Sequence, residues 1–242
     1  MDKAQLDEYK KFAKEKLGFD FKNIDLLVTA FTHRSYLNEH KTTVFDHNER
    51  LEFLGDAVLE LITSDFLFKN YDQPEGIMTS WRAALVNTDA NANSAAELGY
   101  APLVRMSKGE KKGSDRAHHS ILADCYEALI GAIYLDQGYK AAEEFIKKHT
   151  LSKIDDILET ESWRDSKSYL QELVQRLDGS TPTYKIMKEE GPDHDKIFTV
   201  GVFVNDHLKA TGQGHSKQEA QVKAAGEAIR KYKKQALIKK PK

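Results

Sequence analysis

Up to about Lys153 the apolar residues recur at helical intervals, strand-like alternation is nearly absent, and Ala, Leu, Glu and Lys dominate. From His47 to Leu61 the spacing predicts a helix that buries Leu51, Leu54, Val58 and Leu61 along one face. From Ile121 to Leu135 the chain is apolar nearly all round, the pattern of a helix enclosed by others. Polar Ser35 to His47 reads as a loop, and Tyr71 to Gly76 as a turn with Pro74 at the first helical position. Gly99 to Pro102 and the basic run Lys108 to Arg116 read as further connections. Residues 158–165 are charged and polar without an apolar period and predict a linker.

The pattern changes after the linker. Leu170, Leu173, Val174 and Leu177 follow i, i+3, i+4, i+7, one face of a helix, which Asp178-Gly-Ser-Thr-Pro stops. Tyr184 and Ile186 alternate with lysines, and Gly191-Pro-Asp-His-Asp predicts a turn. Phe198, Val200, Val202 and Val204 alternate strictly, as in a half-buried strand, and Asn205-Asp206 turns into a short third strand through Leu208 and Ala210. Ser216 and Glu219 make a capping box before an Ala-rich helix. The expected architecture is therefore an all-α domain (1–157), the linker, an α-β-β-β-α domain of α+β class (166–236) and a basic tail (237–242).

Composition narrows the function classes. With 242 residues, 40% apolar and 31% charged, the chain suits one or two globular domains and excludes full-length disorder. The longest apolar stretch, Ala128 to Leu135, is far short of the ~20 residues of a membrane span. The N-terminus lacks a secretory signal pattern, and Cys125 is the single cysteine, so no internal disulfide or multi-Cys zinc site is expected. These features predict a cytoplasmic protein without a membrane partner. The net charge of −2 conceals an asymmetry: residues 1–162 carry −8 and residues 163–242 carry +6. A basic second half suits a nucleic-acid partner, although a solvated basic tail gives the same count.

The candidate chemistry is acidic. At about 100° per residue, Glu49, Glu52 and Asp56 fall on one narrow stripe of the first helix. Like charges at this spacing repel, so a structural helix gains nothing from them, whereas a hard divalent cation would turn repulsion into ligation. A solvated acidic face is the plainer alternative. On the second helix Asp124 and Glu127, at i and i+3, are the only charges in the apolar run from Ile121 to Leu135. Buried carboxylates need an ion or a partner, so a metal site shared with Glu52 and Asp56 competes with a buried arginine pair. Ser120, Ala128 and Gly131 beside them are small enough to admit a close neighbour.

Phe53 lies about 40° from the centre of the acidic stripe, away from the apolar face, which suits a partner subunit. Cys125 suits a small core residue, His118 and His119 suit the surface, and His33 suits the orientation of a backbone turn. The absence of a Gly-rich phosphate loop, HExxH or GxSxG argues against nucleotide cofactors, zinc peptidases and serine hydrolases.

His47-Asn-Glu-Arg-Leu-Glu-Phe-Leu-Gly-Asp resembles the signature of the ribonuclease III family. Pro74-Glu-Gly-Ile-Met-Thr and Ile121-Leu-Ala-Asp-Cys-Tyr-Glu-Ala-Leu-Ile-Gly-Ala match that family's other acidic motifs. Residues 166–235, with Gly212-Gln-Gly-His-Ser-Lys before the last helix, are similar to a double-stranded-RNA-binding domain. The resemblance implies an all-helical endonuclease domain that forms a homodimer and hydrolyses double-stranded RNA with Mg²⁺, for which Mn²⁺ can substitute. It implies 5′-phosphate and 3′-hydroxyl ends with a short 3′ overhang, and a role in processing ribosomal and messenger precursors. The implied metal ligands are Glu52, Asp56, Asp124 and Glu127, with Asp56 and Glu127 also catalytic. Glu49 and Glu75 match two further acidic positions, and Phe53 matches an aromatic that enters the other subunit. In the second domain Gln171, Glu172, His194, Lys217 and Lys223 are the implied RNA contacts. Gln218 and Gln221 stand where the family often has lysine, a departure that weakens the expected electrostatic grip. A non-cleaving duplex-RNA-binding regulator on the same fold is the alternative, and one missing metal carboxylate would favour it; all four are present.

Overall fold

The computed structural model describes residues 3–41, 45–161, 163–192 and 196–238. The chain divides between Trp163 and Arg164 into two units, each with its own core.

The first unit is helical: α1 (Lys3–Phe12), α2 (Ile24–Ala30), α3 (Arg34–Glu39), α4 (Glu49–Asn70), α5 (Glu75–Val86), α6 (Thr88–Leu98), α7 (Asp115–Gln137), α8 (Tyr139–His149) and α9 (Ile154–Thr160). Leu59 and Ile62 of α4 and Cys125, Leu129, Ile130 and Ile133 of α7 are fully or almost fully buried, so these two helices form the centre. Side-chain oxygens close the exposed helix starts: Ser114 Oγ accepts the Ala117 N–H at 3.3 Å, and Asn87 Oδ1 accepts the Ala90 N–H at 2.9 Å. The buried Asp136 at the end of α7 accepts the Lys22 and Asn23 N–H groups at 2.9 and 2.7 Å and so fixes where α2 begins.

Three sequence expectations for this unit are corrected. The stretch 35–47 is not all loop. His33 accepts the Ser35 N–H and closes the start of α3, which runs to Glu39. The buried stripe of α4 is Leu51, Gly55, Val58, Leu59 and Ile62; Leu54 is only partly buried and Leu61 is 59% exposed. The close approach of α7 to Gly55 sets that rotation. The predicted linker 158–165 begins too early, because Leu158 to Thr160 continue α9 and both Leu158 and Trp163 pack on the core. Trp163 meets Trp81 edge-on, with ring centroids 6.0 Å apart.

The second unit runs α10 (Ser166–Asp178), β1 (Thr183–Glu190), β2 (Ile197–Val204), β3 (His207–Gly214) and α11 (Lys217–Ile238). The strands form an antiparallel sheet in the order β1-β2-β3. Val202 and Val204, which point inward, pack with Leu170, Leu173 and Val174 of α10 and with Ala224, Ala225 and Ala228 of α11. Leu177, expected on the same face, is 54% exposed. Asn205 and Asp206 have φ of 50° and 62°, the left-handed pair of a two-residue hairpin turn that suits right-twisted strands. A Cβ on Gly212 would stand 2.3 Å from the Ala224 nitrogen, so the missing side chain lets α11 lie directly on β3. His194 and positions 239–242 of the basic tail lie outside the described residues.

Candidate functional site

Backbone contact positions the acidic residues. A Cβ on Gly55 would stand 1.7 Å from the carbonyl oxygen of Glu127, and one on Gly131 would stand 2.3 Å from that of Leu51. The α4 and α7 backbones therefore touch where neither side carries a side chain. Glu52 and Asp56 flank Gly55 on α4, while Asp124 and Glu127 precede Gly131 on α7.

Electrostatics link these residues. Burial pushes the Glu127 carboxyl up to about 7, Asp56, Glu52 and Asp124 add to the rise, and a hydrogen bond from Asn91 opposes it. Burial also raises Glu52, with further repulsion from Asp124, Glu49 and Asp56. Asp124 is raised by burial and eased by His33. Among the described residues no Lys or Arg pairs with Asp124 or Glu127. A buried arginine pair is thus excluded within that range, and the partial burial of Glu52, Asp124 and Glu127 sets them apart from a solvated acidic face.

Among the described residues no three Asp, Glu, His or Cys side chains stand close enough to enclose an ion as they are placed. The donor set itself is four carboxylates without sulfur, the chemistry of a hard divalent cation. By that criterion the residues fit such an ion.

Glu49 bonds Arg34 at 3.3 Å at the rim. Glu75 begins α5, accepts the Thr79 hydroxyl at 2.9 Å and lines a cleft with Leu61, Phe68, Met78 and Arg82. Phe53 is 81% exposed, and Phe68 on the same helix is 77% exposed. The Cys125 thiol is buried, takes a 3.6 Å hydrogen bond from Asn48 and is pushed far up by burial, which leaves it without thiolate chemistry. His118 bonds the Glu110 carbonyl, and His119 pairs with Asp89 at 3.0 Å.

In the second unit Gln171 and Glu172 are exposed on α10. Lys217 opens α11, with its ammonium 5.6 Å from the Phe198 ring centroid and 4.0 Å from Glu189. Ser216 Oγ accepts the Glu219 N–H, while the Glu219 carboxylate accepts the His215 N–H, one residue earlier than in the expected capping box. Lys223 is paired to Glu219 at 2.8 Å.

Sequence reading missed two residues. Asn91 of α6 donates to Glu127, yet within an Ala-rich helix it reads as one more solvent-facing side chain. Lys167 of α10 donates to Gln221 Oε1 at 2.8 Å, which brings an ammonium beside a position where a lysine was expected. No local spacing signals either contact.

The Ribonuclease-III-like family model matches residues 23–154, and the Double-stranded RNA binding motif model matches residues 166–232. A protein named Ribonuclease 3 from Desulforamulus reducens is 44% identical over 227 residues, covering 93% of this chain and 92% of its own. One of the same name from Carboxydothermus hydrogenoformans is 43% identical over 239 residues, covering 98% and 100%. The solved nuclease domain of ribonuclease III from Campylobacter jejuni is 37% identical with a TM-score of 0.51, covering 57% of this chain and 96% of that one.

Proposed function

The chain belongs to the ribonuclease III family and is a double-stranded-RNA-binding endoribonuclease, and from that premise we propose how its residues divide the work. The family is metal-dependent. Glu52, Asp56, Asp124 and Glu127 hold Mg²⁺, with Mn²⁺ able to substitute. One observation supports this reading: α4 and α7 touch beside the four carboxylates, and Glu127 is raised by burial and by the charges of the other three, with no Lys or Arg paired to it among the described residues. When bound, the cation supplies an activated water and neutralises charge on the phosphate and the leaving oxygen.

The residues of the chain contribute placement. Each pair of ligands projects from one rigid helix, and the Gly55–Gly131 contact sets the distance between the pairs. Glu49 and Glu75 supply further acidic positions toward the RNA. No side-chain nucleophile is required, since water attacks the phosphodiester and leaves 5′-phosphate and 3′-hydroxyl ends with a short 3′ overhang. Gln171, Glu172, His194, Lys217 and Lys223 grip the duplex by its shape and phosphates, helped at Lys217 by the start of α11.

The active form is a homodimer in which Phe53 is an anchor. Its ring is 81% exposed, and a cleft of about 460 Å³ opens beside Leu61 and Phe68 on the same helix, large enough for an aromatic side chain. The Campylobacter jejuni nuclease domain has a region involved in dimer formation, in keeping with this assembly. Processing of ribosomal and messenger precursors is the proposed role. Incubating duplex RNA with the protein in Mg²⁺ and in EDTA tests the reading. Cleavage in Mg²⁺ alone supports it, and binding without cleavage in both overturns it.

A further inference from the structure

Helix α6 begins on Asn87, whose side chain accepts the Ala90 N–H at 2.9 Å, and this closed first turn carries Asn91 against α7. Asn91 is fully buried. Its Nδ2 donates twice, to the Val86 carbonyl at 3.1 Å and to Glu127 Oε1 at 2.8 Å. Its Oδ1 is buried with no hydrogen-bond partner among the described residues. A buried orphan acceptor costs stability, and a leucine would fill nearly the same volume without one. Apolar packing therefore gives no reason for an asparagine here; its two donated bonds do, and of these only the one to Glu127 reaches a side chain.

We propose that Asn91 is a positioning residue that holds Oε1 of Glu127 against α6 and leaves Oε2 for the catalytic cation. The Val86 carbonyl takes one amide hydrogen, which orients the group so that the other meets Glu127. A neutral donor suits the task. A lysine or arginine would cancel the charge that the cation needs, while an amide restrains the carboxylate and leaves the charge in place. Groups that orient a metal ligand in this way are commonly worth tenfold or more in metal affinity.

The inference rests on reading Glu127 as a ligand, so the test separates the two. Mn²⁺ binding to the full chain without RNA is measured by electron paramagnetic resonance for the unaltered protein, Asn91→Leu, Glu127→Gln and the double variant. Asn91→Leu is expected to bind Mn²⁺ about tenfold more weakly and to bind duplex RNA without metal as before. In the Glu127→Gln background it is expected to change nothing further. Mn²⁺ affinity of Asn91→Leu within twofold of the unaltered chain, while Glu127→Gln is weakened, overturns the role of Asn91, as does a full additional loss in the double variant. An unchanged Glu127→Gln removes the ligand reading and the inference with it. If Asn91→Leu does not fold, Asn91→Ala is judged by the same criteria.

Discussion

Gly55 and Gly131 face each other across the contact of α4 and α7, and each leaves room for the backbone of the opposite helix. A methyl group on Gly55 would meet the Glu127 carbonyl at 1.7 Å, and no side-chain torsion relieves a collision with backbone. Gly55→Ala is therefore expected to cost about 3 kcal/mol and to separate the two pairs of carboxylates. Thermal melting and cleavage of duplex RNA check this. A variant that melts and cleaves normally would show that the two helices need no such closeness.

Glu127 sets a pH dependence in the metal-free chain. Its carboxyl is raised from 4.5 to about 7, so across that window the folded state keeps a proton that the unfolded state has lost. Stability from this group is present on the acid side and is lost as pH rises toward 7, and Glu52 and Asp124 act in the same direction. The melting temperature of the unaltered chain minus that of Glu127→Gln should fall between about pH 5 and 8 in EDTA, and Mg²⁺ should reverse the fall. A difference independent of pH in EDTA would contradict the raised carboxyl.

Glu127→Gln keeps the size of the side chain and removes the charge of a proposed ligand. Cleavage in Mg²⁺ should be lost while duplex binding, carried by the second unit, is retained. At pH 8 without metal the variant should melt higher, by about 3 °C if the relieved repulsion is near 1 kcal/mol. Near-normal turnover would remove Glu127 from the site.

Phe53→Ala tests the dimer anchor. An exposed aromatic that fills a partner pocket costs about 2 kcal/mol or more when truncated. Sedimentation at low micromolar concentration should show weaker self-association, with the folding of the first unit unaffected because the ring lies outside its core. Unchanged association would exclude Phe53 as an anchor.

The two halves carry opposite charge, −8 over residues 1–162 and +6 over residues 163–242. A chain ending after Trp163 should fold and still cut duplex RNA weakly, best at low salt and high Mg²⁺. Ending it before Trp163 should lower its melting temperature, because that ring packs on Trp81. For each tenfold rise in salt the intact chain should lose roughly 0.9 logarithmic units of affinity per phosphate contact, taking the B-DNA value, and the shortened chain less. Equal duplex affinity of the two at physiological salt would show that the second unit is not the grip.

Much of this protein follows from local order alone. Strict alternation from Phe198 to Val204 specifies a half-buried strand, because successive side chains of a strand point to opposite faces. Asp124 and Glu127 stand out because charge inside an apolar helix demands a partner, and Glu49, Glu52 and Asp56 share a stripe through helix geometry. Other features depend on residues far apart in the chain. Leu61 satisfies the apolar spacing of α4 yet faces outward, because the contact at Gly55 rotates the buried stripe toward Ile62. Asn91 reaches Glu127 across 36 positions and Lys167 reaches Gln221 across 54, so neither contact leaves a periodic trace. Trp163 belongs to the first core although its neighbours in sequence read as linker. Periodicity determines which face of a helix is apolar; only the packing of one backbone against another decides which residues of that face are covered and which distant side chains meet.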